Sequence, residues 1–120
     1  MPDFELISVR IDVREVDIDD LYVTLDAEES AAVEEGRALV LRIEATVVPS
    51  EPRLRIFDAP PWDYVIRTPV SREDVENAIA KALFEVAEEA AGVYCQPVTS
   101  DDLKAAASVR VHGELPRAPA

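Results

Sequence analysis

Apolar and polar residues alternate along the first part of the chain. The apolar positions of this stretch are Ile7, Val9, Ile11 and Val13. Side chains of a β-strand point alternately to its two faces, so the pattern predicts a strand with one face in the core and one in water. The apolar positions then change parity, since Val16 and Ile18 are even-numbered. We therefore expect a β-bulge or a sharp bend near Arg14 and Glu15.

The same alternation predicts further strands of a sheet. The longest runs from Leu39 to Val47 and ends at Pro49. Residues 58–61 contain two prolines and separate two shorter strands, because proline has no N–H to donate to a neighbouring strand. The apolar positions that define these strands and a final one are Leu21, Val23, Leu25, Leu39, Leu41, Ile43, Ala45, Val47, Leu54, Ile56, Trp62, Tyr64, Ile66, Val109, Val111 and Leu115.

The clearest predicted element is a long helix over about 72–91. Ser71 is a suitable N-cap, and Asp74 stands at the capping-box position three residues later. Gly92 is placed to end the helix in a left-handed conformation. Cap and stop signals agree, so this segment predicts one long amphipathic helix.

Three shorter segments complete the pattern. Residues 26–36 begin with a potential cap, Asp26, and end at Gly36; a short helix and an acidic hairpin loop both remain open for them. An edge strand is expected through Tyr94 and Val98, interrupted by Pro97. Residues 99–107 have the cap and the alanines of a short helix.

The order of these elements predicts an α+β fold: a mostly antiparallel β-sheet with one long amphipathic helix, about 72–91, packed on one face. A chain of 120 residues is long enough for one buried core. We expect residues 1–115 to form a single α+β domain and residues 116–120 to form a proline-rich C-terminal tail.

The long helix is apolar over more than half of its circumference. One stripe, which we expect to face the sheet, contains Val75, Ile79, Ala82, Leu83 and Val86. A second stripe lies about 120° further round the helix. It contains Ala80, Phe84, Ala87 and Ala91. Two explanations stay open for this second stripe: the short helix near Leu103 covers it, or it is the interface with a protein partner.

The charge balance narrows the classes of function. The chain has 25 acidic and 12 basic residues, which gives a formal net charge of −13. Such a surface repels nucleic-acid phosphates and anionic membranes. Adaptation to high salt and a GC-rich genome both account for the bias as background; the third explanation is that the charge serves binding to a basic protein.

Part of this charge is concentrated on the long helix. The remaining wedge of the helix carries an acidic surface made of Asp74, Glu85, Glu88 and Glu89. Three of these residues lie in the C-terminal half, where the helix dipole disfavours anions. Solvation in high salt and a basic partner each explain the placement.

Catalytic and metal-binding chemistry find little support in the sequence. Cys95 is the only cysteine and His112 the only histidine, and we expect a buried thiol and a surface imidazole rather than a catalytic pair. Asp17, Asp19 and Asp20 lack the glycine and the closing glutamate of a calcium loop. None of the three glycines belongs to a phosphate-binding loop. We expect no catalytic residue, metal or cofactor.

These observations predict a non-enzymatic, acidic protein–protein interaction or assembly subunit. It would be a homo-oligomer or part of a hetero-assembly, for example a viral or phage structural component from a halophilic or GC-rich source. The alternative is an acidic inhibitor, either an immunity-type protein or a nucleic-acid mimic, that blocks a basic protein. The start of the chain lacks the features of a secretory signal, so we expect a cytoplasmic protein, or one located in the virion if it is viral.

Overall fold

A mixed sheet of five strands carries one long helix on one of its faces. The computed structural model describes residues 6–21, 24–50 and 53–113. The fold is α+β, as the sequence predicts. Its elements in chain order are β1 (Leu6–Val16), a 3-10 turn (Ile18–Asp20), α1 (Ala27–Glu34), β2 (Ala38–Pro49), β3 (Phe57–Asp58), β4 (Trp62–Arg67), α2 (Arg72–Tyr94), α3 (Ser100–Ala105) and β5 (Ala107–Val111).

Two long strands form the centre of the sheet. β1 and β2 run antiparallel, with Val9 opposite Val47 and Val16 opposite Val40. β5 lies parallel to β1 on its other side. β3 and β4 both pair antiparallel with β2, at opposite ends of that strand. The sheet is therefore mostly antiparallel, and its two edges are formed by β5 and by β4 with β3.

The core lies between α2 and the sheet face formed by the odd-numbered residues of β1 and β2. Small alanine side chains on α2 let the helix approach the sheet closely. The most deeply buried of these alanines, each 3% exposed or less, are Ala78, Ala82 and Ala90. The sheet residues of this core are Val9, Ile11, Val13, Leu41, Ile43, Ala45 and Val47. Burial of these apolar side chains is the main force that holds the long helix on the sheet.

The opposite face of the sheet is partly covered and partly open to water. α1 packs against β2, where Ala38 and Val40 are buried on this face. The rest of the face is polar, and cross-strand pairs such as Arg14 with Glu44 lie on it.

One ion pair on this second face is buried. The guanidinium of Arg42 donates two hydrogen bonds to the carboxylate of Asp63, at 2.8 and 3.1 Å. The side chain of Asp63 is fully buried and that of Arg42 is 13% exposed. Arg42 also donates to the backbone carbonyl of Asp20 in the 3-10 turn. The two residues face each other directly in the β2–β4 register, so the pair fixes how β4 lies on β2.

The predicted bulge near Arg14 and Glu15 is wrong. β1 continues without a register shift from Ser8 to Val16. The change of parity has another cause: Val16 lies on the second face, opposite Val40, which is buried there where α1 packs on β2. A strand between two layers carries apolar residues on both faces.

The described residues between β1 and β2 form the 3-10 turn and α1, and they contain no second strand. The strand predicted at Leu21–Leu25 is wrong where it is described, because Leu21 and Leu25 lie outside any strand; Val23 lies outside the described residues. The segment after it is a helix, which settles the choice left open for residues 26–36. The Asp26 carboxylate accepts the Glu29 N–H at 2.7 Å, and the Glu29 carboxylate accepts the Asp26 N–H at 3.2 Å. Gly36 follows with φ +77°, as expected of a stop.

The C-terminal half of the chain differs from the prediction at the end of α2. The helix continues through Gly92 to Tyr94, and Cys95 takes the left-handed conformation with φ 54°. The Tyr94 hydroxyl donates to the carbonyl of Arg55 at 2.7 Å, which holds this last turn against the segment before β3. The predicted edge strand through Tyr94 and Val98 is therefore wrong.

The remaining predictions are partly confirmed. Leu54 and Ile56 lie outside any strand, and the strand expected there is replaced by the two-residue β3, which begins at Phe57. The short helix near Leu103 and the strand through Val109 and Val111 are present as α3 and β5. Leu115 and the predicted tail at residues 116–120 lie outside the described residues.

Gly92→Ala tests where α2 ends. Gly92 is an exposed helical residue, and a Cβ placed there meets nothing within 4 Å. Alanine favours a helix interior over glycine by about 1 kcal/mol, so the variant should be more stable to urea by up to that amount. A loss of stability would mean that residue 92 itself adopts the left-handed conformation that alanine disfavours.

Asp63→Ala tests the buried ion pair. Removing one partner leaves the Arg42 charge buried without its counter-ion, so we expect a loss of about 3–5 kcal/mol in the free energy of unfolding. Glu44→Ala is a matched control, because Arg14 and Glu44 form a cross-strand pair on the same face but with half-exposed side chains. This control should cost about 1 kcal/mol or less. Equal losses in the two variants would contradict the special role of the buried pair.

Candidate protein-binding groove

An apolar groove runs between α2 and the edge strand β4. Its volume is about 550 Å³. Phe84 is 69% exposed, the most exposed of the large hydrophobic side chains in the described residues. The residues that line this groove, called the α2–β4 groove below, are Trp62, Tyr64, Ala80, Lys81, Phe84 and Glu85.

The aromatic wall of the groove is set by the pairing of β4 with β2. Trp62 lies opposite Ile43 and Tyr64 opposite Leu41, and both β2 residues belong to the face covered by α2. Asp63, between the two aromatic residues, points to the other face because side chains alternate along a strand. The buried Arg42–Asp63 pair therefore also determines that Trp62 and Tyr64 face α2.

The indole of Trp62 has an unused hydrogen-bond donor. Its Nε1 atom is buried and has no hydrogen-bond partner among the described residues. A buried donor without an acceptor costs about 1–3 kcal/mol. An acceptor that reaches this atom when a partner binds would recover part of that cost.

Three carboxylates of α2, called the rim below, begin at the groove: Glu85 lines the groove together with Lys81, and Glu88 and Glu89 follow within the next turn of the helix. Burial raises the pKa of Glu89, and the neighbouring charges of Glu85 and Glu88 raise it further. The pKa of Tyr64 is likewise raised, first by burial and then by the charge of Glu85. Within the described part of the chain, no ion pair neutralises any of the three glutamates, and the last turn of α2 contains no basic residue.

Asp74, the fourth residue of the predicted acidic surface, has a different role. Its carboxylate accepts the Ser71 N–H at 2.9 Å, while its own N–H donates to the Ser71 hydroxyl at 3.1 Å. These hydrogen bonds lower the pKa of Asp74. Asp74 precedes Glu85 by three turns, or about 16 Å along the helix axis. The acidic surface is therefore a cluster of three glutamates, with Asp74 acting as a separate helix cap.

The predicted interface residues fall into two groups. Ala80 and Phe84 line the α2–β4 groove. Ala87 is only 4% exposed and belongs to the core, and Ala91 is half-buried against it. α3 packs against α2, and its Leu103 is fully buried in the same core. The second apolar stripe is thus open at its N-terminal half and covered at its C-terminal half.

Trp62 and Tyr64 line the groove but are absent from the interface that the sequence predicts. The alternation of apolar residues correctly predicts a strand for them, but it carries no information about which element lies next to that strand. A signal was present: two large aromatic residues flank a single aspartate in a strand that follows two prolines. These aromatic residues form one wall of the groove only because β4 lies next to α2 in the folded protein.

The residues with reactive or metal-binding side chains lie apart from the groove. Cys95 is exposed, so the prediction of a buried thiol is wrong; it caps α2 in the left-handed conformation, where its side chain leaves the core. His112 is exposed as expected, with Nε2 at 2.9 Å from a carboxylate oxygen of Asp12. In residues 6–21, 24–50 and 53–113, no three side chains from His, Cys, Asp and Glu come together as a metal site.

None of the described helices combines the length and the apolar composition that crossing a membrane requires.

Neutralising two glutamates tests the electrostatics of the rim. Glu85→Gln with Glu88→Gln should lower the pKa of Glu89 without returning it to the ordinary value, because burial is the largest cause of the shift. A raised pKa favours folding below the ordinary pKa, and this contribution is lost as pH rises through the folded-state pKa. Carbon-detected NMR titration of the Glu89 carboxyl measures the change. An unchanged Glu89 pKa would show that the three carboxylates are not close enough to interact.

Comparison with known proteins adds no family to this description. No protein-family model, no curated protein and no solved structure matches the chain.

Proposed function

We propose that the protein is a non-enzymatic interaction subunit that binds a basic protein partner through the α2–β4 groove. The observation that carries this proposal is the exposed ring of Phe84 above an apolar groove with two further aromatic residues. An exposed aromatic ring beside an apolar groove is a candidate contact surface for another protein.

The apolar part of the groove supplies the anchor for binding. Burying a phenylalanine side chain contributes about 1.5–3 kcal/mol, and Phe84 has more than half of that burial still to gain. Ala80, one turn before it, leaves room for a partner side chain to approach the helix. Aromatic anchors surrounded by a polar rim are typical of the residues that dominate binding energy in protein interfaces.

The charge of the rim selects the partner. Glu85 lines the groove beside Lys81, Glu88 and Glu89 follow it on α2, and none of the three glutamates forms an ion pair among the described residues. The whole chain carries a charge of −13. Lysine or arginine side chains on the partner would relieve this repulsion and speed association. The partner that fits is therefore an amphipathic segment with an apolar side chain for the groove and basic residues on both sides of it.

A second candidate function rests on the same three glutamates. They stand on a rigid helix, so their charges are held in place before binding and cost little ordering entropy. An inhibitor that covers the basic active site of another protein, such as an immunity-type protein or a nucleic-acid mimic, needs such a fixed array. The two candidates differ in the consequence of binding, which is assembly in the first and blocked activity in the second.

The proposed function also implies where the protein works. A subunit of this kind would work in the cytoplasm, or in the virion if the protein is viral. The acidic surface would keep the free chain soluble at high salt until the partner binds.

A synthetic amphipathic helix of leucine and lysine, labelled with a fluorophore, tests the groove directly. Fluorescence anisotropy should show saturable binding, while the same peptide with glutamate in place of lysine should not bind. Phe84→Glu should weaken the affinity at least about tenfold, which corresponds to about 1.4 kcal/mol. Glu85→Lys with Glu88→Lys should have a similar effect.

The matched control for the charge change is Glu28→Lys with Glu34→Lys on α1. Both residues are exposed and distant in sequence from the groove, and the net charge changes by the same amount. This control should retain most of the affinity. If it loses as much as the groove variant does, binding reflects the overall charge of the protein, and the proposal of a specific groove is wrong.

A further inference from the structure

The outer edge of β5 is a second candidate binding surface, because backbone N–H and C=O groups point outwards along it. Among the described strands, β5 pairs only with β1. The Val9 N–H donates to the Ala106 carbonyl at 3.0 Å, and the His112 N–H donates to the Val13 carbonyl at 2.8 Å. Backbone groups alternate in direction along a strand, so the even-numbered residues of this segment bond to β1. The N–H and C=O groups of the odd-numbered residues therefore point away from the sheet.

The odd-numbered residues of β5 also lie beside an apolar crevice. Their side chains are on the face covered by α2, and Val109 is 46% exposed. The crevice between β5 and α2 has a volume of about 340 Å³. Its apolar lining is Ile11, Val75, Ile79, Ala80, Leu83, Ala107, Val109 and Val111. A strand added to this edge would cover Val109 and the open side of the crevice.

The local charge at this edge differs from that of the whole chain. The charged residues that line the crevice are Arg72 and Lys104 against one acid, Glu76, which leaves one net positive charge. On the other face, Arg110 lies directly opposite Asp12 in the register. The edge is therefore a place where a second copy of a chain with charge −13 can approach without meeting a cluster of carboxylates.

We infer that two copies of the chain pair through β5, antiparallel, to form one continuous sheet. With the two-fold axis at Val109, Val109 faces Val109 of the second copy, and Ala107 faces Val111. In an antiparallel ladder, each of these three residue pairs exchanges two hydrogen bonds, which gives about six across the interface. In this register the outward-pointing backbone groups of one copy are thus complementary to the same groups of the second copy.

Side chains on both faces are compatible with this register. On the crevice face, the pairs combine valine with valine and alanine with valine, so small apolar side chains face each other without buried charge. On the polar face, Ser108 lies opposite Arg110 of the second copy, so no two like charges are directly opposite. The interface is a single short strand with its flanks, below the size of typical stable interfaces, and the dissociation constant is expected on the order of micromolar or weaker.

Sedimentation equilibrium across a range of concentrations tests the inference. The mass should rise from 13.2 kDa towards twice that value in the wild-type chain. Val109→Pro removes the outward N–H but no hydrogen bond to β1, and proline is tolerated on edge strands, so the folded variant should stay monomeric. Val109→Thr keeps the N–H and the shape and should dimerise like the wild type.

A second variant tests the same interface without the risk that proline disturbs folding. Val109→Lys places two positive charges opposite each other across the axis and should also give a monomer with an unchanged circular dichroism spectrum. A wild-type chain that stays monomeric at millimolar concentration would overturn the inference, even if the edge binds a different protein. Dimers of undiminished affinity in both the proline and the lysine variants would overturn it as well.

The dimer and the groove are separable in these experiments. Phe84→Glu alters the α2–β4 groove and should leave the sedimentation of the dimer unchanged. Val109→Pro should leave the affinity for the leucine–lysine peptide unchanged. Loss of the dimer in Phe84→Glu would instead mean that the copies associate through the groove, and pairing through β5 would be wrong.

Discussion

The buried ion pair between Arg42 and Asp63 is the constraint on which the two faces of this protein depend. It holds β4 in a single register on β2, with the carboxylate buried on the α1 face. A shift by one residue would bury an unpaired carboxylate against the core and turn Trp62 and Tyr64 away from α2. Because Arg42 also binds the carbonyl of Asp20, the same side chain ties down the turn that leads from β1 towards α1. The shape of the groove is therefore a consequence of polar chemistry on the opposite side of the sheet.

The net charge of −13 is compensated unevenly over the surface. On the open face of the sheet, arginines lie beside acids, as in the pair of Arg14 with Glu44. On the C-terminal half of α2, three glutamates stand together without such a partner in the described chain. The β5 edge is different again, with a small local excess of positive charge. The proposed basic partner and the proposed second copy would therefore meet surfaces of different local charge.

Local signals predict much of this fold, and the failures all have tertiary causes. Capping boxes depend on residues three apart, so the starts of α1 and α2 were readable at Asp26 and Ser71. Gly92 has the residue type of a helix stop, but the Tyr94 contact with the segment before β3 extends α2 beyond it. Val16 breaks the alternation of β1 because it lies opposite the buried Val40 on the second face of the sheet. The helix side of the groove is predictable from the sequence, because Phe84 lies on the second apolar stripe of α2. The aromatic side is not, because it depends on which strand lies beside α2.

The central claim is that the α2–β4 groove is a binding surface, and Trp62 offers the most direct measurement. It is the only tryptophan of the chain, so 5-fluorotryptophan gives a single fluorine NMR resonance inside the groove. Addition of the unlabelled leucine–lysine helix should shift this resonance saturably, because the ligand covers the indole and changes its surroundings. Phe84→Glu should abolish the shift, and high salt should weaken it. A resonance that stays unchanged while the peptide binds would place the binding elsewhere and contradict the account.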